Sequence, residues 1–361
     1  MKKVFTLILF LFFTGYILQA QNIQTPPASK KAEVAEWIGL SKVSVQYHRP
    51  GVKGREGNIF GGPVVPLDGS SPIPWRAGAD ENTVIYFEDD VTINGNPLPA
   101  GKYGFHILPT ENEWTLIFSN NHHSWGSYFY NESEDALRLN VKPTTCDFME
   151  WLAYDFINQT DNSVDVRMRW DKTQISFTVG SDVHAVTLAK MEKQLQGLDG
   201  FNPQSYAAAA QYCLGANKDL EKALFWSDRS MDLNFGGQKT FTTVSTRALV
   251  LDKLGRTTES DAAFDEALTL GTMQELHFFG RSYIQNEKPE KAMKVFKYNR
   301  EKNPDDKFTT LVGLARGGMA TGDFKSAAKH FRMAAENAPQ GQATYYEDLA
   351  KQCENKMQAG G

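Results

Sequence analysis

Cysteine is scarce in this sequence of 361 residues, which contains only Cys146, Cys213 and Cys353. The three lie far apart and form no CxxC pair, so the spacing of a thiol redox motif or a zinc motif is absent. We predict that they are buried small apolar side chains. A disulfide between Cys213 and Cys353 would require both ends of the C-terminal half to meet in space.

An excess of positive charge and long apolar segments are also lacking. The formal net charge is −5 and the isoelectric point is about 5.9, which excludes the strongly basic surface typical of nucleic-acid-binding proteins. After the N-terminal segment, no stretch has the roughly 20 consecutive apolar residues that a transmembrane helix needs. We therefore predict no nucleic-acid partner and no transmembrane span in the mature protein.

Motifs of common catalytic and metal sites are missing as well. The chain has no GxxxxGK[ST], no HExxH and no GxSxG, which are the patterns of phosphate-binding loops, zinc proteases and serine hydrolases. The histidines of the pair His122-His123 are adjacent, and neighbouring side chains of a strand point to opposite faces. A metal site in which His48 and His106 join His122 or His123 across a sheet is the alternative. We predict no catalytic residue, no metal site and no cofactor.

The N-terminus has the parts of a secretory signal peptide. Lys2 and Lys3 form a charged start, Val4–Leu18 is mostly apolar, and Ala20 is the small residue that a cleavage site needs. No cysteine follows the apolar part, so we expect no lipoprotein anchor; an uncleaved N-terminal anchor is the alternative. We predict that residues 1–20 are a signal peptide and that the mature protein is exported to the periplasm, free or associated with the cell envelope.

Residues 33–180 have the composition and period of β-strands. Segments such as Lys42–His48 and Thr83–Phe87 are rich in β-branched and aromatic residues, and turn sequences separate them. Asn94-Gly95 is a residue pair that favours a type I′ hairpin, because both positions take a positive φ. The number of such segments predicts an antiparallel β-sandwich, or a flattened barrel, for residues 33–180.

A helical pattern replaces the strand pattern after residue 180. Val183, Val186 and Leu195 recur at helical spacing, and Gly197 ends the segment. We predict a linker helix within residues 181–203.

From residue 204 onward the sequence is helical and repetitive. Phe296 and Phe331 occupy matching places at an offset of 35 residues, and a fixed period of this length indicates stacked helical hairpins. The last copy carries Ala327, Phe331, Ala334 and Pro339. This order of small, large, small and proline residues resembles the tetratricopeptide repeat (TPR) family.

The TPR resemblance implies an α-solenoid of about four helix-turn-helix repeats within residues 204–358, ended by a polar capping helix. Asn299 and Ser227 depart from the pattern, which has a small residue and a large residue at these places. An ordinary helical bundle is the alternative. In the family, the first helices of the repeats line a concave groove that generally binds proteins. The predicted fold class is thus a two-domain α+β protein.

Alignment of the repeats predicts the side chains that face this groove. They include Tyr212, His277, Arg281 and Arg316. Arg281 and Arg316 occupy equivalent positions in successive repeats, so their guanidinium groups suit an acidic peptide or the C-terminus of a protein. The alternative is that each arginine pairs with a neighbour such as Glu275 or Asp323.

The stretch PWRAGADEN, Pro74–Asn82, places a tryptophan, an arginine and two acidic residues around Gly78. Together with IGLSKVSVQYHRPGVKGR before it and SWGSYFYNESEDALRLNVKP after it, the stretch resembles the exported bacterial family known as domain of unknown function 2911. The resemblance runs in order from Ile38 to Val179. It implies a β-rich periplasmic domain with no assigned activity. His48 departs from the family pattern, in which a small or polar residue is more usual.

Arginines near this stretch suggest a ligand site on the β domain. The candidate ligand-binding set is Arg49, Arg55, Trp75, Arg76 and Glu81. Three guanidinium groups among several glycines match a carboxylate, a phosphate or a sugar acid. The alternative is structural: Arg76 pairs with Glu81 or Asp80 and holds a long loop to the edge of a strand.

These observations leave two functions open. We favour an exported, non-enzymatic adaptor whose helical repeats bind a protein partner. The alternative is a glycan-binding or small-anion-binding protein, or a hydrolase, with its site on the β domain near Arg76.

Overall fold

The computed structural model describes residues 26–67 and 73–359. The predicted signal peptide, residues 1–20, lies outside the described residues. The chain divides between Leu188 and Ala189 into two compact units, which are called the β unit and the repeat unit below.

Two antiparallel sheets form the β unit. The strands are β1 (Lys30–Ile38), β2 (Ser41–Arg49), β3 (Thr83–Phe87), β4 (Val91–Ile93), β5 (Asn96–Leu98), β6 (Gly101–Pro109), β7 (Trp114–Ser119), β8 (Asp135–Val141), β9 (Thr144–Ile157) and β10 (Ser163–Gly180). A six-stranded sheet has the order β1-β2-β3-β6-β7-β8, and a four-stranded sheet has the order β5-β4-β10-β9. The predicted antiparallel sandwich is confirmed.

Alternating side chains build the core between the two sheets. In β3, Ile85 and Phe87 are buried on one face of the strand, as a period of two requires. Phe105 of β6 and Phe118 of β7 both lie 5.6 Å from the ring of Phe177 of β10, measured between ring centres. These contacts join the six-stranded sheet to the four-stranded sheet through one aromatic cluster.

The hairpin between β4 and β5 turns at Asn94 and Gly95, whose φ angles are 47° and 84°. The predicted positive φ at both positions is therefore found. The side chain of Asn94 also accepts a hydrogen bond from the backbone N–H of Thr178 at 2.7 Å. This bond ties the hairpin to β10.

Helices follow the last strand. Helix α1 (Val183–Leu195) comes first, and four helix pairs follow: α2 (Pro203–Ala216) with α3 (Leu220–Met231), α4 (Phe241–Lys253) with α5 (Thr257–Leu270), α6 (Met273–Gln285) with α7 (Pro289–Lys302), and α8 (Thr309–Thr321) with α9 (Phe324–Ala335). Helix α10 (Ala343–Ala359) packs against α9. The predicted repeat architecture is confirmed.

Small residues allow the paired helices to cross closely. A Cβ atom added to Gly280 of α6 would lie 2.4 Å from the buried ring of Phe296 on α7. The same ring also fills the space beside Gly313 and Gly317 of α8. Phe296 is therefore the large residue around which two successive repeats pack.

The two departures from the repeat pattern have structural reasons. Asn299 is buried, and its side-chain amide donates a hydrogen bond at 2.9 Å to the backbone carbonyl of Met273, the first residue of α6. Ser227 is also buried, and its hydroxyl donates at 3.3 Å to the carbonyl of Thr243. Both polar side chains thus replace apolar packing with a hydrogen bond to a neighbouring helix.

The three cysteines are free thiols. Cys213 and Cys353 are fully buried, as predicted, whereas Cys146 is only partly buried, and the conceivable Cys213–Cys353 disulfide is not formed. No helix within residues 26–67 or 73–359 combines the length and the apolar character that crossing a membrane requires.

Candidate functional sites

The stretch PWRAGADEN joins the sandwich core through Trp75. Its backbone N–H and carbonyl exchange two hydrogen bonds of 2.8 Å with Ile107 of β6. Its ring stacks on Trp170 of β10 at 6.0 Å, and its Nε1–H donates to the carbonyl of Gly78 at 3.2 Å. Trp75 therefore anchors one end of the loop.

The middle of the loop has an unusual backbone. Ala77 and Asp80 have φ angles of 50° and 57°, in the left-handed region that L-residues rarely adopt. The carbonyl of Ala77 accepts hydrogen bonds from the hydroxyl of Tyr154 at 2.8 Å and from that of Thr83 at 3.1 Å. Two buried hydroxyl groups thus stabilise a conformation that the residue itself disfavours.

The Arg76 side chain binds a backbone carbonyl of the loop and does not form the ion pair with Glu81 or Asp80 that the structural alternative predicted. Its Nη1 group donates to the backbone carbonyl of Asp80 at 2.6 Å, and its guanidinium lies 5.2 Å from the centre of the Tyr128 ring. A Cβ atom on Gly126 would lie 2.3 Å from Cζ of Arg76. The guanidinium therefore lies against both Gly126 and Tyr128, and no carboxylate of the described residues forms an ion pair with it.

Glu81 takes part in a separate cluster, so the predicted Arg76–Glu81 pair is wrong. Its carboxylate lies 3.0 Å from Nζ of Lys31 and 3.5 Å from Nε2 of His48. The hydrogen bond from Lys31 is the largest influence that lowers the pKa of Glu81. The other ring nitrogen of His48 lies 3.2 Å from Oδ2 of Asp80, so His48 links the loop to β2.

The other two predicted arginines bind backbone carbonyl groups. Arg49 donates through Nε to Leu152 at 2.8 Å, and Arg55 donates through Nε to Val52 at 2.9 Å and through Nη2 to Gly51 at 2.8 Å. Arg49 thus links β2 to β9, whereas Arg55 stabilises the turn just before it. Neither of these two arginines lines the cavity beside Arg76 that is described next.

A cavity of about 200 Å³ lies beside Arg76. Its apolar walls include Pro66, Ile73, Trp75, Leu108 and Tyr128. Arg76 and Ser127 supply polar groups to the lining. Trp75 and Arg76 are thus the two members of the predicted ligand-binding set that share one space.

Sequence patterns did not identify the pair His106 and Ser127 behind this cavity. Both are buried, and 2.8 Å separates His106 Nδ1 from Ser127 Oγ. Burial, with a smaller effect of the Arg76 charge, lowers the pKa of His106 to about 4. His106 is therefore neutral at pH 7. The two residues are 21 positions apart, so only the pairing of strands and loops brings them together.

Histidines of the β unit form no metal centre in the part of the sequence that the structure describes, where no three His, Cys, Asp or Glu side chains are placed to hold a metal ion. The rings of His122 and His123 contact each other at 5.4 Å between centres. His106 binds Ser127, and His48 binds Asp80.

The repeat unit brings three of its four predicted groove residues together. His277 and Arg281 lie four positions apart on α6 and so share one helix face, and Arg316 lies on α8, the first helix of the next pair. Burial lowers the pKa of His277 to about 4, and the charges of Arg281 and Arg316 act in the same direction. Tyr212 lies on α2, the first helix of the first pair, and is half-buried.

Polar atoms of this cluster lack partners. His277 Nδ1 and Arg316 Nε are buried without a hydrogen-bond partner among the described residues. No ion pair joins Arg281 or Arg316 to Glu275 or Asp323 among the described residues; Glu275 accepts from the backbone of Thr272 and Asp323 accepts from that of Ser326. Beside the cluster, the exposed ring of Phe278 lies 5.8 Å from the Arg281 guanidinium.

Comparison with known proteins connects each unit to a class. Residues 29–179 match the family described as protein of unknown function (DUF2911). No curated protein sequence matches this one significantly.

Solved structures with partial similarity include TPR proteins. A TPR protein from Parabacteroides merdae is 18% identical, and the match covers 46% of this protein and 64% of that one with a TM-score of 0.31. MamA of AMB-1 is 15% identical, and the match covers 44% of this protein and 85% of MamA with a TM-score of 0.28. YrrB, described as a TPR protein with an unusual peptide-binding site, is 20% identical. The match covers 46% of this protein and 92% of YrrB with a TM-score of 0.26. The protein joins a β unit that resembles the DUF2911 family to helical repeats that resemble TPR proteins, as the sequence predicted.

Proposed function

We propose that the protein is an exported, non-enzymatic adaptor whose repeat unit binds a protein partner. The observation that carries the proposal is the cluster of His277, Arg281 and Arg316, in which two cationic side chains have no acidic partner among the described residues. Each guanidinium group offers a planar set of donors that matches a carboxylate. The partner would therefore present carboxylates to the first helices of the last two repeats.

Burial supports binding over simple solvation at this cluster. A buried polar atom without a hydrogen bond carries a desolvation cost of about 1–3 kcal/mol. Arg316 Nε and His277 Nδ1 are two such atoms, so a movement of the Arg316 side chain that brings its Nε to an arriving acceptor would recover part of this cost. The exposed Phe278 beside Arg281 adds an apolar contact for the same segment. An acidic segment or a free carboxyl terminus has this combination of groups.

The location is proposed from the N-terminal sequence. With residues 1–20 removed as a signal peptide, the adaptor would act in the periplasm or at the cell envelope. Fractionation followed by N-terminal sequencing of the mature protein tests this step. A mature N-terminus at Gln21 in the periplasmic fraction supports it, and an intact Met1 in the cytoplasmic fraction contradicts it.

Partner binding is tested by cross-linking and pull-down from the native cell envelope. The double variant Arg281→Glu/Arg316→Glu is compared with the wild type and with Lys325→Glu/Lys329→Glu, which makes the same charge change at exposed positions of α9. We expect one partner to be captured by the wild type and the control but not by the groove variant. Equal capture by all three proteins, or by none, contradicts the proposal.

Peptides from the captured partner then identify the recognised group. A peptide with a free C-terminus is compared with the amidated form and with a form in which Asp and Glu are replaced by Asn and Gln. Loss of binding on amidation indicates recognition of the terminus, whereas loss on neutralisation of the side chains indicates an acidic segment. Binding that neither change weakens contradicts recognition of carboxylates.

A further inference from the structure

A second binding site is indicated by the cavity beside Trp75, Arg76 and Tyr128 in the β unit. We propose that this cavity binds a small organic acid, with its carboxylate on Arg76 and its apolar body against Trp75, Leu108 and Tyr128. The inference is independent of the groove in the repeat unit.

The positive charge of Arg76 on the cavity lining favours a negatively charged ligand. Arg76 is a cation on the lining and forms no ion pair with any carboxylate of the described residues. Its Nη1 group is occupied by the carbonyl of Asp80, which leaves the other guanidinium donors for a ligand. A single guanidinium suits a singly charged carboxylate better than a doubly charged phosphate.

The position of Arg76 is set before any ligand arrives. The guanidinium is confined on three sides: it donates to the carbonyl of Asp80, lies against the ring of Tyr128 and fills the space that a Cβ atom on Gly126 would need. Because this geometry is already formed, binding costs little additional side-chain entropy. The unusual φ of Asp80 contributes, since it orients the carbonyl that accepts from Arg76.

The apolar walls and the small volume of the cavity favour a small ligand that is apolar apart from its carboxylate. Prolines, aliphatic side chains and two aromatic rings line a volume of about 200 Å³, which is below the range of about 300–1,000 Å³ for drug-sized ligands. An organic acid smaller than a drug-sized ligand fits this volume. A polar sugar would leave its hydroxyl groups unsatisfied against these apolar walls.

Calorimetric titration with hexanoate at pH 7 tests the proposal on the purified protein with both units. Acetate has the charge without the apolar body, and hexanol has a similar body without the charge. We expect hexanoate to bind with a Kd of about 1 mM or lower and both other probes to bind about tenfold more weakly or worse. No heat from hexanoate, or equal affinity for hexanol or acetate, overturns the proposal.

Variants locate the site. Arg76→Gln should weaken hexanoate binding by about tenfold or more, whereas Arg55→Gln makes the same change at a guanidinium that does not line the cavity and should leave the affinity unchanged. Tyr128→Ala removes one exposed wall and should weaken binding severalfold even if Arg76→Gln fails to fold. Unchanged affinity in Arg76→Gln or in Tyr128→Ala, or equal losses in Arg76→Gln and Arg55→Gln, overturns the assignment.

Discussion

Gly126 lies directly against the guanidinium of Arg76, since a Cβ atom on Gly126 would lie 2.3 Å from Arg76 Cζ. Gly126 also has a φ of 58°, a conformation that costs an L-residue about 1–2 kcal/mol. The position of the Arg76 guanidinium therefore depends on a glycine that is distant in the sequence. The relationship connects the stretch PWRAGADEN to the loop that follows β7.

Gly126→Ala should displace the Arg76 guanidinium, because the end of an arginine side chain moves more readily than backbone. We expect the free energy of unfolding of the β unit to fall by about 2–3 kcal/mol, from the strained φ and the lost Arg76–Asp80 hydrogen bond. Urea unfolding followed by tryptophan fluorescence measures it. Gly57→Ala is the matched control, because Gly57 has a φ of 70° and open space around it. Equal losses in the two variants would show that Arg76 is not displaced.

Tyr154→Phe tests the support of the strained Ala77. The variant removes the 2.8 Å hydrogen bond to the carbonyl of Ala77 and leaves the buried ring in place. We expect a loss of about 1–3 kcal/mol in the free energy of unfolding, because a buried acceptor loses one of its donors. Tyr86→Phe is the control, since the Tyr86 hydroxyl makes no hydrogen bond with the described residues. A loss no larger than that of the control would contradict this role of Tyr154.

Gly280→Ala and Gly215→Ala should change the stability of the repeat unit in opposite directions. At Gly280 the new methyl group meets the buried ring of Phe296, and overpacking of this kind costs about 1–3 kcal/mol. At Gly215, in α2, a Cβ atom meets nothing within 4 Å, so the gain in helix propensity should stabilise the repeat unit by about 0.5–1 kcal/mol. Thermal unfolding followed by helical circular dichroism measures both. Destabilisation by both variants, or by neither, would contradict the packing around Phe296.

The repeat unit should lose stability on acidification because of His277. Its pKa is about 4 in the folded protein against an ordinary value of 6.5, so the unfolded protein binds the proton first. Stability from this group is fully present above pH 6.5 and is lost as the pH falls towards 4. Between pH 7 and pH 5 the loss is about 2 kcal/mol.

His277→Gln provides the control for this pH dependence. The variant should show a smaller loss between pH 7 and pH 5, measured as the change in urea midpoint of the helical signal. A wild type and a variant with the same pH dependence would contradict a buried neutral His277. Partner binding at Arg281 and Arg316 should raise the pKa of His277, because an arriving carboxylate offsets their positive charge.

Local periodicity of the sequence was sufficient to predict most of the architecture. The alternation in β3, the Asn94-Gly95 hairpin and the offset of 35 residues between Phe296 and Phe331 are properties of short windows, so the sandwich and the repeats were predictable. The predicted β region began at residue 33, inside strand β1, because Lys30–Ile38 is an edge strand with many charged and exposed residues. Edge strands carry a weaker apolar alternation than central ones.

The sites required the folded protein. Spacing in the sequence suggested that Arg49, Arg55 and Arg76 gather, but all three bind backbone carbonyls because strand ends and turns left acceptors within reach. Conversely, the proximity of Arg281 and Arg316 to His277 followed from the repeat period, which places equivalent residues side by side. The sequence by itself determined most of the secondary structure, the repeat and the resemblance to known families, because these depend on neighbours along the backbone. Tertiary structure alone decided the partners of Arg76, Glu81 and His106, because their hydrogen bonds and packing contacts join segments that only strand pairing brings together.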